Sequence, residues 1–262
     1  MILLVVFGVG LVAGFVDAIA GGGGLIMLPG LLFTGLPVGS AIATNKLCGT
    51  FGSLTSTLTF AQSRQIDWSA CKLMALPIII GAYLGSRSIG LLPSAWAEPI
   101  VVALMAIITL FVIFKPGFGT AQIVATAELS SNDLQQSNYA SKRTFNRVLG
   151  LILAGGAIGF HDGFFGPGTG IFLVFALLSL SSIDFLRATG TTKLLNFLAN
   201  FTALITFAAA GSIDYSKGIS GALGVMLGSF VGATFATKKG ATLIKPIFIA
   251  VTVALIIKLL VS

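Results

Sequence analysis

Apolar stretches separated by short polar breaks run the length of the chain. Residues 1–16 are apolar and end in an acidic, glycine-rich break, and a short apolar piece follows at 25–36. Three longer apolar segments come next, roughly 45–61, 70–91 and 96–114. The same order returns at 147–160, 170–181, 192–209, 216–236 and 243–261. A membrane-spanning helix takes about 20 predominantly apolar residues, so the pattern predicts an all-α polytopic membrane protein. One long polar stretch interrupts it, from Lys115 to Asn146, with Glu128, Asp133, Lys142 and Arg143. Turn-forming and charged composition of this kind predicts an exposed linker. The expected organisation is therefore an N-terminal membrane repeat at 1–114, a linker at 115–146 and a C-terminal repeat at 147–262.

The two apolar blocks are copies of one unit. Gly14-Phe15-Val16-Asp17 matches Gly159-Phe160-His161-Asp162, 145 residues on, and Gly10, Gly21 and Gly23 match Gly155, Gly166 and Gly168 at the same offset. Beyond a two-residue insertion between 24 and 40 the offset becomes 147. Thr44, Lys46 and Leu47 then match Thr191, Lys193 and Leu194. Ile66-Asp67-Trp68 matches Ile213-Asp214-Tyr215, Gly81 and Gly85 match Gly228 and Gly232, and Pro99-Ile100 matches Pro246-Ile247. A register that pairs charges, glycines and prolines is a true internal repeat, not shared hydrophobicity.

Composition narrows the class. Of 262 residues, 56% are hydrophobic and 9% charged, against about 25% charged in soluble domains, which excludes a soluble globule. Two cysteines in so long a chain exclude a disulfide scaffold. Cys48, in an apolar run, reads as a small core residue. The net charge of +7 is scattered among loops and makes no nucleic-acid footprint. It bears on orientation instead. If each copy crosses the membrane an odd number of times, the copies are inverted. One side then holds Arg64, Lys72, Lys115, Lys142, Arg143, Arg147, Arg187, Lys193, Lys238, Lys239 and Lys245. The other holds Lys46, Arg87, Lys217 and Lys258. With four crossings per copy the copies are parallel and the bias vanishes. The positive-inside rule favours inversion, a cytoplasmic linker and both termini outside. No Lys or Arg precedes Lys46, so the apolar N-terminus lacks the positive n-region of a signal peptide.

The candidate chemistry lies in polar residues that interrupt this apolar pattern. Gly10/Gly14, Gly81/Gly85, Gly155/Gly159 and Gly228/Gly232 are small-xxx-small pairs of the kind that pack membrane helices. The run Gly21-Gly22-Gly23-Gly24 differs, because each glycine costs a helix interior about 1 kcal/mol. Its counterpart Gly166-Pro167-Gly168-Thr169-Gly170 must break a helix as well. Matched breaks in two halves mark a transporter site, while the plainer alternative is a pair of tight turns outside the bilayer.

Asp17 and Asp162 precede the breaks. Lys46 and Lys193 open the next long segments after Thr44-Asn45 and Thr191-Thr192. Charges in the apolar zone must be paired, hydrated or interfacial, and snorkelling is the alternative for the lysines. The threonines read as N-caps, which places each lysine in a first helical turn, where an anion would gain from both lysine and helix dipole. Freed amides at the breaks add a nest for oxyanions. Asn196 and Asn200 share one helical face and suit either a ligand or interhelical hydrogen bonds. Asp67 and Asp214, beside aromatic residues, read as interfacial anchors. His161 beside Asp162 suits a proton shuttle, although Val16 replaces it in the first copy.

The string GFVDAIAGGGGLIMLPGLL followed by ATNKL, and its second-half partner GFHDGFFGPGTGIF followed by TKLLNFLANF, resemble the TauE/SafE family of membrane permeases, closest to its YfcA-like branch. The resemblance covers nearly the whole chain. It implies movement of sulfite, sulfonates or related organic anions across the bacterial cytoplasmic (cell inner) membrane. The expected function is a secondary transporter for a small anion, without enzymatic activity, cofactor or metal, and no Walker motif points to ATP. The expected substrate-binding residues are Asp17, Gly22, Gly23, Asn45, Lys46, Asp162, Gly168, Lys193 and Asn196. The expected partners are the lipid bilayer and the anion, with no nucleic acid and a homo-oligomer left open. The alternatives are a membrane-embedded enzyme using His161 and Asp162, and an accessory subunit with no solute path.

Overall fold

The computed structural model describes residues 1–91, 96, 99–100, 103, 136–181 and 183–239, with backbone alone for 136–144. Among the described residues all regular structure is helical. The long helices are α1 (Ile2–Ala20), α3 (Val38–Gln62), α4 (Trp68–Gly90), α5 (Gln136–Phe164), α7 (Phe185–Ala209) and α8 (Tyr215–Lys239). Two short ones, α2 (Gly24–Leu32) and α6 (Thr169–Leu180), follow the glycine breaks. Four of them, α1, α4, α7 and α8, are long and apolar enough to cross a membrane. The expected segments at 96–114 and 243–261, and the linker from 115 to 135, lie outside the described residues, apart from helical Trp96, Pro99, Ile100 and Ala103. The stretch from 136 to 146 forms the start of α5.

Each break is the tip of a helical hairpin. At the end of α1, Gly21 adopts φ +71° and returns its N–H to the Asp17 carbonyl at 2.8 Å, a left-handed cap that a side chain would strain. The chain then doubles back along α1. A methyl at Gly23 would stand 2.5 Å from Asp17 Cβ, and one at Gly30 would stand 2.6 Å from a Val9 methyl. α6 returns along α5 likewise, with Thr169 beside His161 and Leu180 beside Gly150 and Arg147. With 9 and 12 residues, the returning helices are about 14 and 18 Å long, too short for a hydrocarbon layer about 30 Å thick.

The small-xxx-small pairs form two parallel seams. Along α1 and α8, Gly10 meets Gly221, Gly14 meets Val225, and Gly228 meets Leu11 and Phe15. Along α4 and α5, Ile78 meets Gly159, Ala82 meets Gly163, and Gly85 meets Phe160 and Phe164. Residue numbers rise together in each seam, so the helices of each pair run the same way. α3 also runs with α8, because Thr44, Leu47 and Gly52 meet Asp214, Gly218 and Val225 in turn. α4 follows α3 after a five-residue connection, 63–67, and must turn back. Consequently α1, α3 and α8 point one way, and α4 and α5 the other.

One expectation is corrected here. Thr44 and Thr191 cap no helix: α3 starts at Val38 behind Pro37, and α7 starts at Phe185 behind Asp184, whose carboxylate accepts the Arg187 N–H at 3.0 Å. Lys46 and Lys193 therefore lie in the third turn, beyond the reach of the N-terminal dipole. Instead, Thr44 Oγ1 accepts the Asp214 N–H at 3.0 Å, and Thr191 Oγ1 accepts the Asp67 N–H at 2.9 Å, so each threonine ties down a loop of the other half. Asp67 and Asp214, expected as interfacial anchors, also serve as helix N-caps. Asp67 accepts the Ser69 and Ala70 N–H groups at 2.9 and 3.2 Å. Asp214 accepts the Lys217 N–H at 2.9 Å and its ammonium at 2.6 Å, and the Lys217 side-chain hydrogen bond, before any other cause, holds its carboxyl below the usual range. The aromatic residues beside them, Trp68 and Tyr215, are the exposed members of these corners.

Candidate functional site

The two hairpin tips meet back to back. A methyl at Gly21 would stand 2.7 Å from the Gly170 carbonyl carbon, and one at Gly170 would stand 2.5 Å from Gly21 Cα. Only glycine allows this approach. Where the tips meet α3 and α7 lies a small cleft of about 40 Å³, room for a few water-sized groups. α2 and α6 both begin at its wall, at Gly24 and at Gly168 and Gly170. Helix N-termini present amides without intrahelical partners and the positive end of the helix dipole, a setting that favours anions.

Two lysine–carboxylate pairs cross between the halves at this point. Lys46 donates to Asp162 Oδ2 at 2.7 Å, with side-chain exposures of 1% and 2%. Lys193, fully buried, donates to the Asp17 backbone carbonyl and to its Oδ2 at 3.2 Å, where Asp17 is 16% exposed. Asp17 Oδ1 also accepts the Gly23 N–H at 3.2 Å. Each lysine thus takes the aspartate of the opposite copy. Lone buried charges cost several kcal/mol each, and pairing offsets that cost only with good geometry. Gly166, at φ +99°, leaves room for the Lys46 ammonium, since a methyl there would stand 2.7 Å from Nζ.

Of the nine expected residues, Asp17, Gly23, Asn45, Lys46, Asp162, Gly168 and Asn196 line the cleft. Gly22 is buried in the turn and Lys193 lies behind Asp17; neither is on the wall. Asn200 is on the wall, its amide donating to the Asn196 carbonyl at 2.9 Å and to Oδ1 at 3.1 Å. Gly49, Gly52 and Ser53 of α3 complete that side. They continue the Asn45–Lys46 face at steps of three and four residues, the one signal by which sequence alone reaches them.

His161 stands apart. Its ring packs edge-on against Phe165 and Phe172, its Nδ1 lies 3.3 Å from Thr169 Oγ1, and its buried Nε2 has no partner among the described residues. It is off the cleft wall. Asp162 is engaged by Lys46, not by His161, so the two do not form an acid–base pair.

Comparison with known proteins adds the following. The family model described as "Sulfite exporter TauE/SafE" matches residues 6–259. The "Probable membrane transporter protein ORF9" of Sinorhizobium sp is 36% identical across 99% of this chain and 92% of its own length. The "Probable membrane transporter protein YfcA" of Escherichia coli (strain K12) is 31% identical across 99% and 90%. A "Probable membrane transporter protein" of Haemophilus influenzae is 32% identical across 95% and 90%. No solved structure matches the chain.

Proposed function

The chain belongs to the TauE/SafE family of membrane transporters, and from that premise we propose that it carries a small anion, sulfite, a sulfonate or a related organic anion, across the cell inner membrane as a secondary transporter. The observation that carries this reading is the pair of crossed ion pairs at the meeting of two broken helices, Lys46–Asp162 and Lys193–Asp17. The Lys46 ammonium, the N-terminal turns of α2 and α6, and the amides of Asn45 and Asn196 together supply the donors an oxyanion needs. Intramembrane charges and matched helix breaks are features of transport pathways. Sulfite as cargo follows the description of the matching family, and sulfonates and related organic anions extend it to the same chemistry. Sulfur oxyanions and small sulfonates are compact acceptors that fit a donor-rich cleft. The test is uptake of labelled sulfite and labelled methanesulfonate into liposomes holding the purified chain. Uptake above protein-free liposomes, competed by unlabelled sulfur oxyanions more strongly than by carboxylates of similar size, supports the reading. Flux equal to protein-free liposomes for both probes contradicts it.

In this reading the two halves are inverted copies about a pseudo-twofold axis in the membrane plane. Support comes from the opposed directions of α1 and α5, from the reciprocal contacts Thr44–Asp214 and Thr191–Asp67, and from the reciprocal ion pairs. Reciprocal contacts are the signature of a twofold relation. With that topology, the positive-inside rule supports a cytoplasmic linker. A cysteine at Ser131 should resist a membrane-impermeant thiol reagent in intact cells and react once the cells are opened. Rapid labelling in intact cells would reverse the orientation.

A further inference from the structure

Lys46 and Lys193 are equivalent in the repeat, yet they stand differently toward the cleft. Lys46 is on its wall, and among the described residues its ammonium has one hydrogen-bond partner, the equally buried Asp162. Lys193 is off the wall and is held by both the backbone and the carboxylate of Asp17. Asp17 is further tied to the Gly23 N–H. One pair is therefore held at the hairpin tip by α7, and the other faces the cleft.

Charge sets the second condition. The charged side chains on the wall, among the described residues, are Asp17, Lys46 and Asp162, beside the uncharged Cys48 thiol, which donates to the Gly218 carbonyl at 3.5 Å, and with Lys193 behind Asp17 the four charges cancel. Of the charged and titratable groups on neighbouring elements, Lys46 of α3 faces Asp162 directly, and Asp17 of α1 lies across the cleft. α6 has no ionisable side chain. On α4, the Arg87 guanidinium lies over the Tyr83 ring at 5.7 Å. His161 adjoins Asp162 in α5 but packs against Phe165 and Phe172. An anion entering this cleft finds Lys46, the one wall lysine among the described residues, neutralised. Beside an ionised Asp162 it would leave an excess negative charge in a poorly screened place.

We infer that Asp162 is the binding site of a second substrate, a proton that travels with the anion. The inference rests on the anion-transport reading above and deepens it. A proton from the side of entry adds to an Asp162 carboxylate oxygen, the Lys46–Asp162 ion pair opens, and the Lys46 ammonium pairs with the anion. On the far side the anion leaves, the proton passes from the Asp162 oxygen to water, and the ion pair closes again. Only the O–H bond is made and broken. With a monoanion the loaded site has the same charge as the empty one, so a turnover moves no net charge.

The experiment uses the full chain in liposomes held at zero membrane potential, with labelled methanesulfonate, whose charge does not change with pH over the working range. One pH unit, acid outside, is expected to drive about tenfold accumulation for one proton per anion, and imposed potentials are expected to leave the rate unchanged. Asp162→Asn is expected to abolish this accumulation, and His161→Gln to keep it. Should Asp162→Asn fail to fold, Asp162→Glu keeps the coupling and shifts the pH dependence of uptake. Where the protein takes sulfite and not the sulfonate, comparison of wild type with the Asp162 variant decides, because sulfite's own protonation is common to both. Anion flux indifferent to the pH gradient, accumulation retained by Asp162→Asn, or an unshifted pH dependence in Asp162→Glu overturns the inference and leaves the transport reading standing. Absence of flux with either probe overturns the reading on which it rests.

Discussion

Lys46→Ala is expected to lower anion uptake roughly a hundredfold or more, in line with truncation of one member of a buried charge pair, and to destabilise the protein by about 3–5 kcal/mol. Both effects come from one contact. Asp162 is 2% exposed and loses its partner at 2.7 Å, so its charge stands buried and uncompensated. The double variant Lys46→Ala/Asp162→Asn separates the two. It removes the orphan charge and should recover expression and thermal stability, but without the wall ammonium it should not recover uptake. The equivalent pair behaves differently in this account. Lys193 is off the wall, so Lys193→Ala/Asp17→Asn should recover stability and a larger share of uptake than the Lys46 double. Wild-type uptake by Lys46→Ala at wild-type expression would remove the lysine from the mechanism.

The second large effect belongs to the seams. Gly228→Leu is expected to prevent stable assembly of α1 with α8. A side chain at Gly228 would run into the Leu11 carbonyl and stand 2.8 Å from the Phe15 nitrogen. Overpacking of a core costs about 1–3 kcal/mol when side chains can move aside. Here the obstructing atoms are backbone, so the helices themselves must separate. Without a hydrophobic drive between helices in lipid, close approach is the main source of their association. Gly81→Leu should do the same to α4 and α5, where the Phe160 nitrogen lies 2.7 Å from the added carbon. Gly8→Leu is the control, because Gly8 is exposed and nothing lies within 4 Å of an added carbon. Yield of monodisperse protein and its melting temperature measure the effect. Similar melting of Gly228→Leu and Gly8→Leu would contradict the packing account.

The helical class, the breaks at Gly21–Gly24 and Gly166–Gly170, and the small-xxx-small pairs were legible because each is written in local residue types. Glycine runs end helices, and glycines four apart pack them. The starts of α3 and α7 were not. Thr44-Asn45-Lys46 and Thr191-Thr192-Lys193 look like helix boundaries because they are polar, yet they are interior turns. The hydroxyls of Thr44 and Thr191 meet the Asp214 and Asp67 amides, and the ammonium groups of Lys46 and Lys193 meet Asp162 and Asp17, all from the opposite half. Periodicity along one segment carries no information about such partners. The choice of partner shows the same limit. Sequence places Asp17 and Lys46 in one copy, and only the back-to-back packing of Gly21 and Gly170 brings each lysine to the other copy's aspartate. The capping role of Asp67 and Asp214 is legible in principle, since an acidic residue just before an apolar run is a helix-start signal. Asn200 and Ser53 follow from helical spacing once Asn196 and Gly49 are known to line the cleft.

Equilibrium binding of labelled sulfite to the purified protein reports whether the cleft is an anion site. Both hairpin tips and both ion pairs converge on one cleft, so the account predicts a single site per chain. That site should be lost in the stable double variant Lys46→Ala/Asp162→Asn. Binding of unchanged strength and number in the double variant would place the anion elsewhere and contradict the account.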